Sequence, residues 1–393
     1  MRFVVAFGVV SMLADFVYEG ARGIVGPYLA TFGANAAVVG LVTGAGEAVA
    51  LVLRLFTGPL SDRTRRYWSI SITGYVITVI AVPLLGAATA FWQAATAVVA
   101  ERFGKAVRTP ARDTMLGFAS AGIGRGKAFG LHEALDQSGA LLGPLLVAGM
   151  VALSGYRLGL AVLAVPGVAA VLTLVWLRRA VPMPAAYEPD DVAPPKSSSD
   201  ADGGPSWRFS GRFWVYSGFT ALTMVGFATF GVLSYHLEVA SVVPRWQIPV
   251  VYAAAMGADA LTALGSGWLY ERVGLRGLVV LPFLTAVVPF LSFSTRAALV
   301  WVGALVWGAA MGVHESTMRA AVTDLVPARR RGTGYGTFTA VYGLAWLAGG
   351  AVTGELYDTS RSALHLFVLA TQAAALVAFL PLALGRRTSD RAL

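Results

Sequence analysis

Residues 58–63 read GPLSDR, and half a chain later residues 267–272 read GWLYER. Each stretch follows a long apolar run and has glycine, leucine, an acidic residue and arginine at the same positions. Two copies of one pattern, separated by a polar segment, predict a bundle of membrane helices that has been duplicated. Because duplicated helical bundles are typical of secondary transporters, the pattern indicates a transporter.

The composition requires a bilayer around most of the chain. Of the 393 residues, 56% are hydrophobic and only 13% are charged, and the mean hydropathy is +0.68. A spanning helix needs about 20 apolar residues, so the chain has room for roughly twelve spans joined by short loops. We expect these spans at residues 3–31, 36–60, 68–89, 91–117, 127–152, 157–177, 212–238, 247–269, 276–294, 297–322, 334–357 and 362–384.

A polar segment divides the predicted all-α membrane protein into two halves. Residues 181–210 contain several prolines and the run SSSDADGG, a composition typical of a flexible linker. We therefore predict an amino-terminal six-helix bundle at residues 1–180, a cytoplasmic linker at 181–211 and a carboxy-terminal six-helix bundle at 212–393.

A second repeat supports this division. RGKAFG at residues 125–130 precedes the fifth span, and RGTGYG at residues 331–336 precedes the eleventh, at nearly the same separation as the first pair. The two halves are then parallel repeats related by a pseudo-twofold axis along the membrane normal. A substrate site is expected at the midplane between them.

The arginines and lysines predict the orientation. With the amino terminus inside, the cytoplasmic ends of the spans and the linker collect most of the basic residues, whereas the opposite ends hold few. We therefore expect a multi-pass protein of the cytoplasmic membrane with both termini in the cytoplasm. The basic residues at the opposite ends of the spans are Arg157, Arg245, Arg296 and Arg361.

The stretch GPLSDRTRR at residues 58–66 resembles the signature of the loop between spans two and three of the major facilitator superfamily, and the resemblance extends over essentially the whole chain. It implies that family's fold of twelve transmembrane helices in two six-helix bundles. In the family, contacts of this loop stabilise the outward-facing state. The resemblance therefore implies a gating role for Gly58, Asp62, Arg63, Glu271 and Arg272. Arg65 departs from the signature, because the family usually has glycine there.

A narrower resemblance concerns transport direction. GALLGP at residues 139–144 is similar to the signature of proton-coupled antiporters in the superfamily, which implies efflux and a gating role for Gly139, Gly143 and Pro144. The alternative interpretation is ordinary packing, since small residues one turn apart let a neighbouring helix approach closely. Runs such as DFVYE at residues 15–19 also resemble a bacterial and archaeal efflux-type subgroup.

Charged residues within the spans are the main candidates for ion coupling, because each costs at least about 2.5 kcal/mol at bilayer depth. In span one, Asp15, Glu19 and Arg22 share a helical face. Arg22 can pair with Glu19, which leaves Asp15 to bind and release a proton. In span two, Glu47 and Arg54 also share a face.

Span four has an unusual row of charges. Glu101 and Lys105 are expected to pair within the helix, which leaves Arg108 and Arg112 for Asp113, for Asp62 or for an anionic ligand. We interpret Arg112 and Asp113, near the cytoplasmic end, as a gating pair. Arg102, off that face, resembles a span-four arginine that the superfamily uses in proton transfer.

Span five adds His132, Glu133 and Asp136. His132 and Asp136, one turn apart, are compatible with a proton relay, but two ligands on one helix do not define a metal site. The complete set of proton-coupling candidates is Asp15, Glu19, Glu47, Glu101, Glu133 and Asp136. Their proposed charge partners are Arg22, Arg54, Arg102, Lys105 and Arg108.

The second half has fewer charges and more aromatic residues in its spans. This asymmetry suggests that the first half couples to protons and the second half shapes the substrate pocket. Asp259 stands among alanines and glycines and is the clearest second-half candidate for a substrate or ion contact. The full set of pocket candidates is Tyr18, Phe227, Tyr235, Asp259, Trp307, His314 and Glu315.

Several other classes of function are not favoured. The chain contains no cysteine, its basic residues form no nucleic-acid-binding face, and no cofactor, metal or enzyme motif is visible. The leading hypothesis is a monomeric secondary transporter that exports a small organic or amphipathic molecule in exchange for protons. The alternatives are a proton-coupled symporter or facilitator for an organic anion and, more remotely, a polytopic membrane enzyme.

Overall fold

The structure is a computed structural model that describes residues 2–120, 124–184, 209–327 and 330–384. Most of the predicted linker, residues 185–208, lies outside the described residues, as do residues 385–393. The first half contains helices α1 Arg2–Arg22, α2 Val25–Ala30, α3 Ala36–Val52, α4 Arg54–Thr64, α5 Tyr67–Ala87, α6 Phe91–Ser120, α7 Arg125–Ser154, α8 Tyr156–Ala161 and α9 Ala164–Ala180.

The second half contains helices α10 Gly211–Val225, α11 Phe230–Val239, α12 Gln247–Val273, α13 Val280–Ser292, α14 Ala297–Leu325, α15 Arg331–Thr359 and α16 Arg361–Leu384. A short 3-10 helix, Gly274–Val279, precedes α13. The twelve predicted spans are confirmed. Four of them, the first, second, sixth and seventh, each consist of two helices in sequence.

The breaks within spans are the part that the apolar pattern did not predict. In the seventh span, α10 ends before Gly226, and the Thr229 hydroxyl accepts a hydrogen bond from the Val232 N–H at 3.3 Å to start α11. A new helix start within an apolar run leaves hydropathy unchanged, so only local capping chemistry reveals it.

Hydropathy alone also finds fewer spans than the fold contains. Within the described residues, nine stretches are long and apolar enough to cross a membrane. One of them, Gln247–Ser292, contains two spans, and the set omits α6 and α15. Helix α6 fails this criterion because it carries the row of charges that begins at Glu101.

Helix packing repeats between the halves. Helix α1 packs against α7 and α9, and α10 packs correspondingly against α15 and α16. The contacts of α3 with α6 and of α5 with α6 and α9 recur as those of α12 with α14 and of α13 with α14 and α16. The predicted pseudo-twofold relation of two six-helix bundles is therefore present in the contacts as well as in the sequence repeats.

The halves meet most closely on the side of the bundle away from the linker, which we call the far side. There α3 lies along α15, and α2 lies against α11. A Cβ atom on Gly40 would overlap the carbonyl oxygen of Gly350, so the two backbones touch at this crossing. The Asp358 carboxylate also accepts hydrogen bonds from the N–H groups of Ala36 and Ala37 at 3.2 and 2.9 Å. The far side is therefore closed.

Towards the linker side, contacts between α15 and the second span pass through side chains. Leu51 and Leu55 lie against Gly343 and Gly336, respectively. Side chains can change rotamer, whereas a contact between two backbones is lost as soon as the helices separate. The far side therefore constrains the distance between the halves more strictly than the linker side does.

The conformation of Arg65 leads to a first prediction. Arg65 ends α4 with φ +52°, in the left-handed region that glycine adopts without steric cost. We expect Arg65→Gly to stabilise the protein by about 0.5–1 kcal/mol, visible as a higher unfolding temperature in detergent. The control is Arg66→Gly, at φ −88°, which should lower that temperature because only chain entropy changes. Equal effects of the two substitutions would contradict the prediction.

The crossing of Gly40 with Gly350 leads to a second prediction. A leucine at position 40 cannot fit while the far side is closed, so Gly40→Leu should shift the protein towards conformations open on that side. The chain has no cysteine, and Ser234 is fully buried here, so Ser234→Cys can report opening through faster maleimide labelling. Gly149→Leu is the control, because a Cβ atom at position 149 would have no neighbour within 4 Å. Unchanged labelling in Gly40→Leu would refute this account of the crossing.

Candidate substrate and coupling site

A small cavity lies between the two halves, next to the charged residues of the first. Its walls come from the first, second, third, fourth, seventh and eleventh spans. Its volume is about 40 Å³, enough for about two or three water molecules and far below the several hundred Å³ of an ordinary ligand pocket. An organic molecule can therefore enter only after the helices move. The polar and aromatic lining is Tyr18, Arg22, Thr43, Glu47, Glu101, Arg102, Thr229, Phe230 and Trp346.

A continuous chain of ion pairs forms one wall of this cavity. Arg22 contacts Glu19 at 3.4 Å and Glu47 at 3.1 Å. Glu47 also contacts Arg102 at 3.3 Å, and Arg102 contacts Glu101 at 3.2 Å. Three spans that are separate in sequence thus share their charges, as buried ions in a membrane must. We call these five residues the central ion-pair chain.

The expected pair of Glu101 with Lys105 is not formed. Glu101 pairs with its neighbour Arg102, and Lys105 donates a hydrogen bond to the Tyr18 hydroxyl at 2.5 Å. Among the described residues, Lys105 has no carboxylate oxygen within 4.0 Å. Its ammonium lies 3.8 Å from the centre of the Tyr18 ring, and the Arg102 guanidinium lies 5.0 Å from it. A tyrosine between two cations therefore replaces the predicted salt bridge.

Glu19 connects the charged network with the other half of the protein. The Tyr252 hydroxyl, from α12, donates a short hydrogen bond to the Glu19 carboxylate. The carboxylate also keeps its predicted contact with Arg22. One buried acid is thus held by partners from both halves.

The predicted face of Glu47 and Arg54 crosses a helix boundary. Helix α3 ends at Val52 and α4 begins at Arg54, with Leu53 between them in a right-handed helical conformation. Glu47 lies between Arg22 and Arg102 of neighbouring spans, and the charge of Arg54 acts on it as well. Spacing along one helix could not identify partners that come from other helices.

A second network lies closer to the linker side. Arg108 contacts Asp15 at 3.5 Å, and Arg112 contacts Asp136 at 3.4 Å and Asp113 at 2.9 Å. The predicted Arg112–Asp113 contact is present. Asp15, which has no partner on its own helix, is paired by α6. The Arg108 guanidinium also lies 4.6 Å from the centre of the Tyr75 ring.

His132 belongs to this second network. Its Nε2 atom lies 3.3 Å from the Ser11 hydroxyl and 3.5 Å from the Asp136 carboxylate. Glu133 is exposed and forms no ion pair with a described residue, although its charge acts on His132 and Asp136 nearby. In the described part of the chain, no group of three or more His, Asp or Glu side chains is arranged to hold a metal ion.

The second-half candidates are arranged differently. Asp259 is 3% exposed and faces Gln137 of α7, and its Oδ1 atom has no hydrogen-bond partner among the described residues. His314 is buried between the rings of Phe227 and Tyr342, with centroid distances of 5.7 and 5.8 Å. Glu315 is exposed. None of these candidates lines the cavity.

The aromatic candidates of the second half form its packed core. Phe227 stacks on Trp307 at 5.5 Å, and the Trp307 indole donates to the Ala228 carbonyl at 2.8 Å. Tyr235 packs edge-on against Tyr357. The aromatic residues that do line the cavity are Tyr18, which belongs to the set of pocket candidates, and Phe230 and Trp346, which lie outside that set. No sequence signal distinguished these two from other aromatic residues of the spans.

The residues of the duplicated loop motif lie at the linker-side ends of the second and eighth spans. Asp62 and Arg63 are exposed and form no ion pair with any described residue. Glu271 is exposed, and Arg272 lies with its guanidinium 3.7 Å from the centre of the Trp268 ring. A Cβ atom on Gly58 would meet open space. The motif is thus away from the cavity.

Gly139 and Gly143 bring α7 against the backbone of α1. A Cβ atom on either glycine would overlap a carbonyl oxygen of α1, that of Met12 or Phe16. Pro144 follows within the same helix. The signature therefore sets the distance between the helices that carry Asp136 and Asp15.

Comparison with known proteins agrees with this architecture. The family model of the Major Facilitator Superfamily matches residues 7–387. A protein of Mycobacterium tuberculosis, itself uncharacterised, is 52% identical over 387 residues, which cover 98% of this chain and 94% of the relative. An uncharacterised MFS-type transporter of Methanocaldococcus jannaschii is 23% identical over 371 residues, which cover 92% of this chain and 89% of the relative.

Solved transporter structures share the fold at low sequence identity. The nucleoside transporter NupG superimposes with a TM-score of 0.75 at 15% identity, covering 98% of this chain and 100% of that one. A bacterial homologue of the human lysosomal transporter Spinster, inward-facing and unoccupied, gives 0.69 at 17% identity, covering 98% and 95%.

The helix order, the repeated packing of the halves and the family match agree over nearly the whole length. The protein is a multi-pass membrane transporter rather than an enzyme. The chain belongs to the Major Facilitator Superfamily.

Proposed function

We propose that the protein exports a small organic or amphipathic molecule across the cytoplasmic membrane in exchange for protons, by alternating access. Membership of the superfamily supports secondary transport of a small molecule. The observation that carries proton coupling is the position of Glu19. It is ion-paired to Arg22 in the cavity wall and hydrogen-bonded to Tyr252 of the other half.

A proton on Glu19 would act on both contacts together. Neutralising the carboxylate removes the negative charge of its ion pair with Arg22. Among the described residues, Arg22 then retains Glu47 as its one carboxylate partner. Neutralisation also turns the acceptor of the Tyr252 hydrogen bond into a neutral acid. Because a ligand shifts a conformational equilibrium only through different affinity for its states, a proton bound where the halves meet can drive their movement.

The other acids have different proposed roles. Glu47, between two arginines, is well compensated and is proposed to hold the spans together. Asp15 and Asp136 each have a single long contact with an arginine of α6, so they are proposed to pass the proton between Glu19 and the linker side. Glu133 is exposed, which makes it the weakest of the predicted candidates.

In an alternating-access cycle, each side of the bundle needs residues that close it. We propose that residues 1–180 and 212–393 rock as two bundles connected by the linker at residues 181–211. The far side, with Gly40, Gly350 and Asp358, opens as the linker side closes. The exposed Asp62, Arg63, Glu271 and Arg272 would then form their gating contacts in the conformation that is closed on the linker side. A monomer contains both bundles and is the proposed functional unit.

Lys105 favours a second candidate function, proton-coupled or facilitated transport of an organic anion. It is a half-buried cation with a tyrosine hydroxyl, rather than a carboxylate, as its direct partner. The other cations of α6 support this alternative less, because Arg102, Arg108 and Arg112 are each paired with acids.

The role of Glu19 yields a third prediction. Glu19→Gln keeps the shape of the side chain but cannot carry the proton, so substrate-driven proton flux should fall by about 100-fold or more while substrate counterflow persists. Both are measured in proteoliposomes, with pyranine for the protons. The substrate is a compound that stabilises the purified protein in a thermal-shift screen of drugs, sugars, organic acids and amino acids.

The matched control for this experiment is Glu355→Gln, which makes the same chemical change at an exposed position of α15. It should leave both fluxes unchanged. Proton coupling at the wild-type level in each of the single variants Glu19→Gln, Asp15→Asn and Glu47→Gln would refute the proposed coupling route.

The proposed orientation yields a fourth prediction. Thr64 and Ser360 are exposed at opposite sides of the bundle. The native chain contains no cysteine, so an introduced cysteine is the sole thiol that can be labelled. In intact cells a membrane-impermeant maleimide should label Ser360→Cys, whereas Thr64→Cys should react only after the cells are permeabilised. The reverse pattern would place the linker outside.

A further inference from the structure

The charges around the cavity balance one another. The charged side chains that line the cavity are equal in number: Glu47 and Glu101 against Arg22 and Arg102. All are held in a low-dielectric interior, where an extra uncompensated charge is costly. A ligand with one net charge would unbalance this wall, whereas a ligand without net charge would not.

The wall nevertheless contains polar atoms that the protein itself does not satisfy. Among the described residues, Glu101 Oε1, Arg102 Nη1 and Trp346 Nε1 have no hydrogen-bond partner. The three residues line the cavity and are 7%, 6% and 3% exposed. Buried polar groups are rarely left unpaired, because each has then lost its hydrogen bonds to water without gaining others. The unpaired set consists of an anionic acceptor, a cationic donor and a neutral donor.

These two observations together define a ligand chemistry. A carboxylate would be bound by the donors of Arg102 and Trp346, and an ammonium group by the acceptor of Glu101. Glu101 and Arg102 are themselves in contact at 3.2 Å, so the two ligand charges must lie close together. The remaining walls include Val25, Val82, Leu85 and Phe230, which favour an apolar remainder.

We propose that the transported molecule is a compact zwitterion, an α-amino acid or a close analogue with an apolar side chain. This inference rests on the proposed transport function and specifies its substrate class. It also gives the cavity a reason for its balanced charges, because the ligand supplies one charge of each sign. The small closed volume of about 40 Å³ means that the amino acid binds after the halves separate.

The test compares leucine with two molecules that each lack one of its charged groups. 4-Methylpentanoate retains the carboxylate and side chain, and 3-methylbutylamine retains the ammonium group and side chain. Binding to the purified full chain is measured by thermal shift and titration, and transport by counterflow in proteoliposomes. We expect leucine or another apolar α-amino acid to bind, with each deletion weakening affinity by at least about tenfold, because it leaves a buried charged group unpaired.

Two variants locate the binding groups. Glu101→Gln should weaken leucine binding but not that of 4-methylpentanoate, because it removes the acceptor of the ammonium group, while the loss of its ion pair leaves Arg102 freer to bind a carboxylate. Trp346→Phe removes one N–H group and keeps an aromatic ring, so it should weaken both carboxylate ligands. Trp176→Phe, at a 59% exposed position, is the matched control and should change neither. Trp346→Phe keeps the test valid if Glu101→Gln does not fold.

The outcomes separate this inference from the proposed function. Equal affinity for leucine and either deletion analogue would overturn the zwitterion assignment. Absence of binding by any apolar α-amino acid, together with proton-coupled transport of another compound, would also overturn it and leave the proposed function standing. Absence of vectorial transport of every screened compound would instead refute the proposed function.

Discussion

A charge buried in a bilayer must be compensated within the protein, and the central ion-pair chain meets this requirement where the two halves meet. Arg22, Glu47 and Arg102 come from three spans, and Glu47 lies 3.1 Å from Arg22 and 3.3 Å from Arg102. Removing Arg102 would leave Glu101 buried without a basic partner among the described residues, at a cost of about 3–5 kcal/mol. The packing of the first, second and fourth spans therefore depends on this set of contacts.

The two halves of the chain pack their helices in the same way, but the side chains in their interiors differ. Both halves use the same helix pairs, which keeps the pseudo-twofold architecture. The first half fills its interior with paired charges, and the second fills the corresponding space with stacked rings such as Phe227 and Trp307. Glu19 and Tyr252 join these two interiors. The cavity is therefore lined by charged side chains from the first half and by the rings of Phe230 and Trp346 from the second.

The candidate site was predictable in part. Helical spacing correctly placed Glu19 beside Arg22 and identified Arg112 as a neighbour of Asp113. It failed for Glu101, because an adjacent arginine outcompeted a lysine one turn away. It could not find Trp346 or Thr229, since residues of the second half reach the cavity only when the bundles pack. The pocket candidates Asp259, His314 and Glu315 lie outside its walls.

The sequence by itself determined that the chain lies in a bilayer, how many times it spans the bilayer, that its two halves are duplicates, and to which family it belongs. Apolar runs of bilayer length and two repeated motifs suffice for these, because hydropathy and repeat spacing are properties of the linear chain. Only the tertiary structure decided which charges pair and which groups surround the cavity. Ion pairs such as Asp15 with Arg108 join helices that are distant in sequence, and such partners are selected by the packing of helix faces rather than by spacing along one helix.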